Sequence, residues 1–287
     1  MINCRLAIVG LLFAAGCSRA PEARTYQLTG QVLAVKAETN EILVKHDDIP
    51  GFMPAMTMAY AVKDAALIKD RAAGDLITAT LVVEPSLAHL SAITKTGSAP
   101  VPADARTTIP AAAGIDLLRP GDVAPDTMLI NQDGKPITLK NFAGTATAIT
   151  FIYTRCPLPQ YCPLMDRRFA DVQARVAQTP ALAGKVRLLS VSFDPKFDRS
   201  AVLRQHAGSL KADPAVWTFA TAEEAVVDRF AARFGVNVIR EPNDTITHNL
   251  RTAVIDPSGR ITILLESNTW TADDLVRELK AAVAATR

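Results

Sequence analysis

Cys156 and Cys162 stand in the segment Tyr153-Thr-Arg-Cys-Pro-Leu-Pro-Gln-Tyr-Cys-Pro163, with five residues between them. A thiol pair of this kind does one of two jobs: it ligates a soft metal ion, or it cycles between dithiol and disulfide. Cu(I) prefers thiolate and thioether donors while Cu(II) favours imidazole and harder ones, so two thiolates and one imidazole serve both oxidation states. His248, in Thr245-Ile-Thr-His-Asn-Leu-Arg251, is the imidazole expected to approach the pair. The plain alternative for the cysteines is a structural disulfide in an exported protein.

A second soft-donor cluster lies far upstream. The run His46-Asp-Asp-Ile-Pro-Gly-Phe-Met-Pro-Ala-Met-Thr-Met-Ala59 holds three of the six methionines of the chain. Met56 and Met58 are two apart, so on a strand their side chains share a face. With the His46 imidazole, their thioethers would make a Cu(I) or Ag(I) site of little affinity for hard cations. The competing reading is a pair of core methionines filling a small barrel.

The elements that must position these donors are legible as pattern. Tyr26–Val35 and Glu41–His46 flank a polar turn and read as a hairpin, with further strands at Leu76–Val83 and near Ser91–Thr94. From Gly97 to Ala113 the chain is rich in Pro, Ala and Thr without useful periodicity, which reads as a semi-extended linker. Beyond it, Thr147–Tyr153 is a buried strand, and Pro163–Gln178 a helix with Met165, Phe169, Val172 and Val176 on one face. Strands at 186–193 and 216–219 alternate with helices at 199–209 and 222–234, which predicts α/β structure with a largely parallel sheet. A late hairpin, Arg251–Asp256 and Arg260–Leu265, precedes a last helix that Thr271 and Asp274 can cap. Cys156 then falls at a strand's carboxyl end, where α/β sheets gather their chemistry. Cys162 falls at a helix N-terminus, whose dipole is expected to favour its thiolate.

Of 287 residues 49% are hydrophobic and 21% charged, enough for two compact domains. A net charge of +2 with scattered basic residues gives no footprint for nucleic acid or an anionic membrane surface. At the start, Arg5 precedes the apolar run Leu6–Ala15, which is too short to cross a bilayer and reads as an export signal. Ala14-Ala-Gly-Cys17 resembles a bacterial lipoprotein box, which implies cleavage before Cys17 and a lipid on its sulfur; an ordinary signal peptide is the alternative. Either way the folded part faces an oxidising space, the periplasm or the outer face of a bacterial membrane. His89 and His206 have no soft neighbours in sequence and read as surface or helix residues.

Roughly residues 119–287 resemble the Sco/SenC copper proteins, thioredoxin-like modules used in assembling the copper centre of cytochrome oxidase. The resemblance rests on Gly121-Asp-Val-Ala-Pro125, the strand followed by Thr-Arg-Cys-Pro, Ser192-Phe-Asp-Pro195, and His248 ahead of Val254-Ile-Asp-Pro-Ser-Gly259. It implies copper ligation by Cys156, Cys162 and His248, an acidic residue near the site at Asp194, and a cytochrome c oxidase subunit as the copper-accepting partner. Asp194 also reads as an ordinary strand-ending Asp-Pro. The family usually has three residues between its cysteines, and this chain has five, including Pro157 and Pro159. The upstream segment resembles the periplasmic CusF-like domains, small five-stranded barrels holding Cu(I) through one histidine and two methionines. Here that implies His46, Met56 and Met58. Met53 stands directly before Pro54, near where the best-known members carry a metal-stacking Trp, and offers a third thioether.

The expected organisation is a lipoprotein signal over 1–17, an OB-like β-barrel over 25–97, a linker over 98–118 and a thioredoxin-like domain over 119–287. The expected function is an extracytoplasmic, lipid-anchored copper metallochaperone binding Cu(I) and Cu(II). The alternatives are a thiol–disulfide oxidoreductase cycling Cys156 and Cys162, and copper sequestration for tolerance.

Overall fold

The computed structural model describes residues 23–101, 115–240 and 246–285. The expected signal segment at 1–17 and most of the expected linker at 98–118 lie outside the described residues. Period-two burial carries the first half of the chain into sheet. Strands β1 (Arg24–Lys36), β2 (Glu41–His46), β3 (Met56–Val62), β4 (Asp75–Val83) and β5 (Ala88–Ser98) close a barrel in the order β1-β2-β3-β5-β4. Leu28, Val32, Ile42, Val44, Tyr60 and Ile77 fill it, each fully buried. Two features of this barrel shape the site. Gly30 in β1 stands opposite His46 in β2, and a Cβ there would lie 2.5 Å from the Lys45 carbonyl oxygen and 2.8 Å from the His46 Cα. Only a hydrogen fits, so β1 passes close behind the histidine. Strand β3 meets β5 only through Ala61 and Val62, so from Met56 to Tyr60 its outer edge has no strand partner among the described residues.

The second half alternates strands with helices. Its strands are β6 (Leu129–Asn131), β7 (Pro136–Ile137), β8 (Ala146–Ile152), β9 (Val186–Ser192), β10 (Trp217–Thr221), β11 (Val238–Arg240), β12 (Ile246–His248), β13 (Arg251–Ile255) and β14 (Ile261–Glu266). The helices are α1 (Cys162–Ala177), α2 (Ser200–Ser209), α3 (Glu224–Arg233) and α4 (Ala272–Ala284). The main sheet runs β14-β13-β8-β9-β10-β6-β7, and β11 pairs with β12 apart from it. The expectation of a largely parallel sheet is corrected: only β8–β9 and β9–β10 run parallel, and every other pair is antiparallel. Two of those pairs, β6–β7 and β13–β14, are hairpins, whose short turns can join only antiparallel neighbours; the other two set one strand of each hairpin against β10 and β8 from a distant part of the chain. Met165, Phe169, Val172 and Val176 on α1 are buried against this sheet, as their spacing predicts. On α4 the Thr271 side chain accepts from the Asp274 amide at 3.2 Å, and the Asp274 carboxylate accepts from the Thr271 amide at 2.8 Å.

Gly30→Val drives a branched side chain into the β2 backbone and is expected to destabilise the barrel by about 1–3 kcal/mol. The measurement is amide hydrogen exchange in β1 and β2, which should quicken there and leave β8 and β9 protected.

Candidate functional site

Strand β8 ends at Ile152, and a turn closed by the Cys156 amide on the Tyr153 carbonyl, at 3.3 Å, presents the first thiol. Cys162 is the first residue of α1 and is buried, with Pro163 behind it in the position a helix start tolerates. Both thiols are free, Cys162 buried and Cys156 half-buried. Cys162 Sγ is 3.7 Å from His248 Nε2. With metal–sulfur and metal–nitrogen bonds of about 2.3 and 2.0 Å, two donors of a tetrahedral or trigonal site stand roughly 3.5–3.8 Å apart. The pair Cys162 and His248 therefore already stands at the spacing of two donors to one ion. Among the described residues no three His, Cys, Asp or Glu side chains form an already closed metal cage, so this set would have to tighten around an ion.

His248 is carried by the small β11–β12 ladder, opposite Val238. Its ring is held between Phe193, at 4.6 Å between centroids, and the edge-on ring of Tyr153, at 5.6 Å. Nδ1 donates to the Asn249 carbonyl at 3.0 Å, which leaves the Nε2 lone pair facing Cys162. Burial lowers its pKa to about 4, so the ring is neutral at ordinary pH. The thiols differ from expectation. Burial pushes the Cys162 thiol well above its usual range, and the neighbouring Cys156 thiol adds to it. Cys156 is the thiol that is lowered, chiefly because the Cys162 thiol beside it favours its charged form. Of the two, Cys156 is the more acidic.

The carboxylate of Asp194 does not join the sulfurs. It accepts from Arg155 Nε at 2.6 Å and is buried, so its place is beside the cysteine turn as an anchor for Arg155. Asp198, which sequence reasoning passed over, does similar work: its carboxylate accepts from the Thr154 amide at 2.9 Å, from the Thr154 hydroxyl, and from Ser192 Oγ at 2.5 Å. Nothing in a lone Asp after an Asp-Pro marks it as a loop anchor before the fold is known. His206 is half-buried on α2 and meets Asp166 of α1 at 2.9 Å. Burial opposes its charge, but the hydrogen bond and charge of Asp166 prevail and its pKa rises. His89 is buried in β5, with Nδ1 lacking a partner, and so is no surface residue.

The upstream cluster is built across β2 and β3. His46 pairs directly with Met56, and Val44 with Met58, so Met58 is the diagonal neighbour of His46 on the same face. His46 is 2% exposed; its Nδ1 donates to the Asp47 carbonyl at 2.7 Å, and its buried Nε2 has no partner. Burial lowers its pKa, so this ring too is a neutral donor. A buried lone pair without a proton to accept is what a soft cation would satisfy. Met53 and Met56 are buried in the barrel core and Met58 is half-buried. Met53 is fixed by reciprocal backbone bonds with Ile49 of 2.8 and 3.1 Å, and Phe52 stacks away on Tyr26 at 4.5 Å.

The two clusters are neighbours. The loop between the cysteines reaches the barrel: Leu158 is buried within the barrel's core, and the Gln160 side chain takes both backbone groups of Ala88, accepting from its amide at 3.0 Å and donating to its carbonyl at 3.2 Å. The unpaired edge of β3 is covered from the second domain. Tyr161 Oη donates to the Ala59 carbonyl at 2.9 Å, and Thr247 Oγ1 to the Thr57 carbonyl at 3.1 Å. Sequence patterning held no sign of this contact.

Residues 117–284 match the SCO1/SenC family, and residues 25–95 match the family described as copper binding periplasmic protein CusF. The SCO1 protein homolog of Bacillus subtilis (strain 168) is 26% identical over 158 residues, 53% of this chain and 78% of that protein. The structure of a SCO1/SenC family lipoprotein from Bacillus anthracis str. Ames is similar at a TM-score of 0.51 and 24% identity, over 58% of this chain and 98% of that one. Copper-bound ScoI from Arabidopsis thaliana is similar at a TM-score of 0.50 and 18% identity, over 57% of this chain and 99% of that one. At these identities both structures speak to the fold.

The lowered pKa of His248 has a stability consequence. Above pH 6.5 the ring is neutral whether the chain is folded or not; as pH falls from 6.5 towards about 4, the unfolded chain takes up the proton first and stability is lost. The metal-free protein is expected to lose on the order of 1–2 kcal/mol from this group between pH 6.5 and 5. Denaturant unfolding of wild type and His248→Gln across that range should show a smaller loss in the variant, which keeps only the contribution of other groups such as His46.

Proposed function

The chain belongs to the SCO1/SenC family, and on that premise we propose that it is an exported copper metallochaperone that receives Cu(I) on a methionine barrel and holds it on Cys156, Cys162 and His248 for delivery. The observation that carries the reading is common to both clusters: each histidine spends Nδ1 on the next residue's carbonyl and keeps Nε2 free of protons in a buried setting rich in sulfur. Such donors suit copper and serve hard cations poorly. Thioethers and neutral imidazole favour Cu(I) in the barrel, while thiolates with imidazole accept Cu(I) or Cu(II) in the second domain. Export is supported by the apolar start of the chain and by the periplasmic family matched over the barrel. A lipid on Cys17 would hold the protein at the membrane; among the described residues no helix is long and apolar enough to cross one. By family resemblance, the acceptor would be a copper-binding subunit of cytochrome c oxidase.

A second reading, thiol–disulfide exchange, draws on the acidified Cys156 with a protonated Cys162 beside it. The two readings part at His248. Anaerobic Cu(I) titration of the full chain, with X-ray absorption to identify donors, is expected to find two coppers per chain, one on thiolates and nitrogen and one on thioethers and nitrogen. His248→Ala is expected to weaken the thiolate site by more than about 100-fold, beyond the range for residues that merely support ligands. If that variant keeps its copper, or if the thiolate site never fills, exchange with a disulfide substrate becomes the better account. Asp194→Asn should leave both coppers in place, since its carboxylate is committed to Arg155.

A further inference from the structure

The segment Pro157–Tyr161 is gripped from both sides. On the second domain, Arg167 donates to the Pro159 carbonyl at 2.7 Å, and Asn268 Nδ2 to the Gln160 carbonyl at 3.0 Å. On the barrel, Leu158 enters the core and Gln160 pairs with Ala88, as described above. Backbone groups of the loop thus serve one domain and its side chains the other. The hydrogen bonds across the junction then fall at telling positions. Tyr161, immediately before Cys162, bonds Ala59; Thr247, immediately before His248, bonds Thr57. The two barrel carbonyls flank Met58, and the two donors adjoin two of the three proposed ligands in the second domain. Strand β12 comes within 8 Å of β3, Cα to Cα, on this wall.

We propose that the loop between the cysteines is a clasp that docks the barrel's methionine strand on the Cys/His site, so that copper passes from one donor set to the other inside a single closed molecule. The proposal rests on the copper reading above and adds the route. The step is ligand exchange without redox change. Cu(I) leaves the two thioethers and the His46 imidazole and gains bonds to the Cys156 and Cys162 sulfurs and His248 Nε2. Any proton held on either sulfur is released to water as that sulfur binds the metal. Neutral His46, Met56 and Met58 are left behind.

The test uses the full-length chain. In the wild type the Ala88 amide is shielded by Gln160, so its hydrogen exchange should be slow, and Gln160→Ala should speed it by about tenfold with the rest of β5 unchanged. Copper is followed between two full-length proteins mixed at equal concentration. The donor is Cys156→Ser/Cys162→Ser with Cu(I) on its barrel, and the acceptor is Met56→Leu/Met58→Leu with its thiols reduced. With both partners clasped, transfer between molecules should be slow; adding Leu158→Asp to both should quicken it by about tenfold or more, because the facing sites are uncovered. Tyr161→Phe, which removes a single hydroxyl, should give a smaller change of the same sign. An Ala88 amide that exchanges equally fast in wild type and variant, or an intermolecular rate indifferent to Leu158, would overturn the clasp. A donor or acceptor that takes up no Cu(I) before mixing would overturn the copper reading and the hand-over with it, while Ala88 exchange still reports the docking.

Discussion

An unpaired strand edge must find hydrogen-bond partners, and in this molecule the edge of β3 over Met56–Tyr60 finds them in the other domain. A small barrel that closes through only Ala61 and Val62 leaves donors and acceptors exposed beside its soft-ligand face. An exposed edge of that kind invites pairing with another chain. Side-chain hydroxyls from Tyr161 and Thr247 cover it instead, without forming a continuous sheet between the domains. The backbone of β3 is thereby held in place from outside the barrel.

On the copper reading, the donors are prepared before any ion arrives. Holding Nδ1 of His46 and His248 on a local carbonyl fixes the tautomer, and burial keeps both rings neutral, so no proton competes at Nε2. The cost is borne by the metal-free protein as a buried lone pair without a partner at His46 and a buried thiol at Cys162. Around Cys156 the support comes from charge and anchoring. Arg155 is fixed by Asp194 and Thr154 by Asp198, so the two residues before the thiol are each tied to β9 or the turn that follows it. Neither aspartate needs to touch a metal to matter for the geometry.

Much of this was readable from residue order. Alternation at Glu41–His46 and the 3.6-residue spacing of Met165, Phe169, Val172 and Val176 gave strand and helix because each pattern has one face to bury. The capping box at Thr271 and Asp274 is local chemistry, and it held. Pairs such as β6–β7 and β11–β12 escaped because strands of two or three residues carry no period. The direction of neighbouring strands escaped as well, since it depends on which hairpins finish the sheet. Charge balance at the thiols could not be foreseen from a helix N-terminus alone, because burial and the Cys156 thiol both raise Cys162. The contact between Gln160 and Ala88 joins residues 72 apart in sequence and leaves no pattern in either segment.

On the copper reading, the donor sets themselves give the exchange a direction. His46, Met56 and Met58 are all neutral, so Cu(I) among them is a lone buried cation, relieved only by the field of Asp47 and Asp48 beside the histidine. Cys156 and Cys162 would bring negative charge to the metal, which the three barrel donors do not. A buried ion is cheapest where its charge is matched at contact, so the thiolate set is the downhill end of the exchange. The longer loop then acquires a physical reason. A tight turn between the cysteines could gather the two sulfurs as well as this one does, but it would have no Leu158 to seat in the barrel and no Gln160 to hold Ala88. Length that is superfluous for metal geometry is what lets one segment serve the ligand pair and the domain junction together.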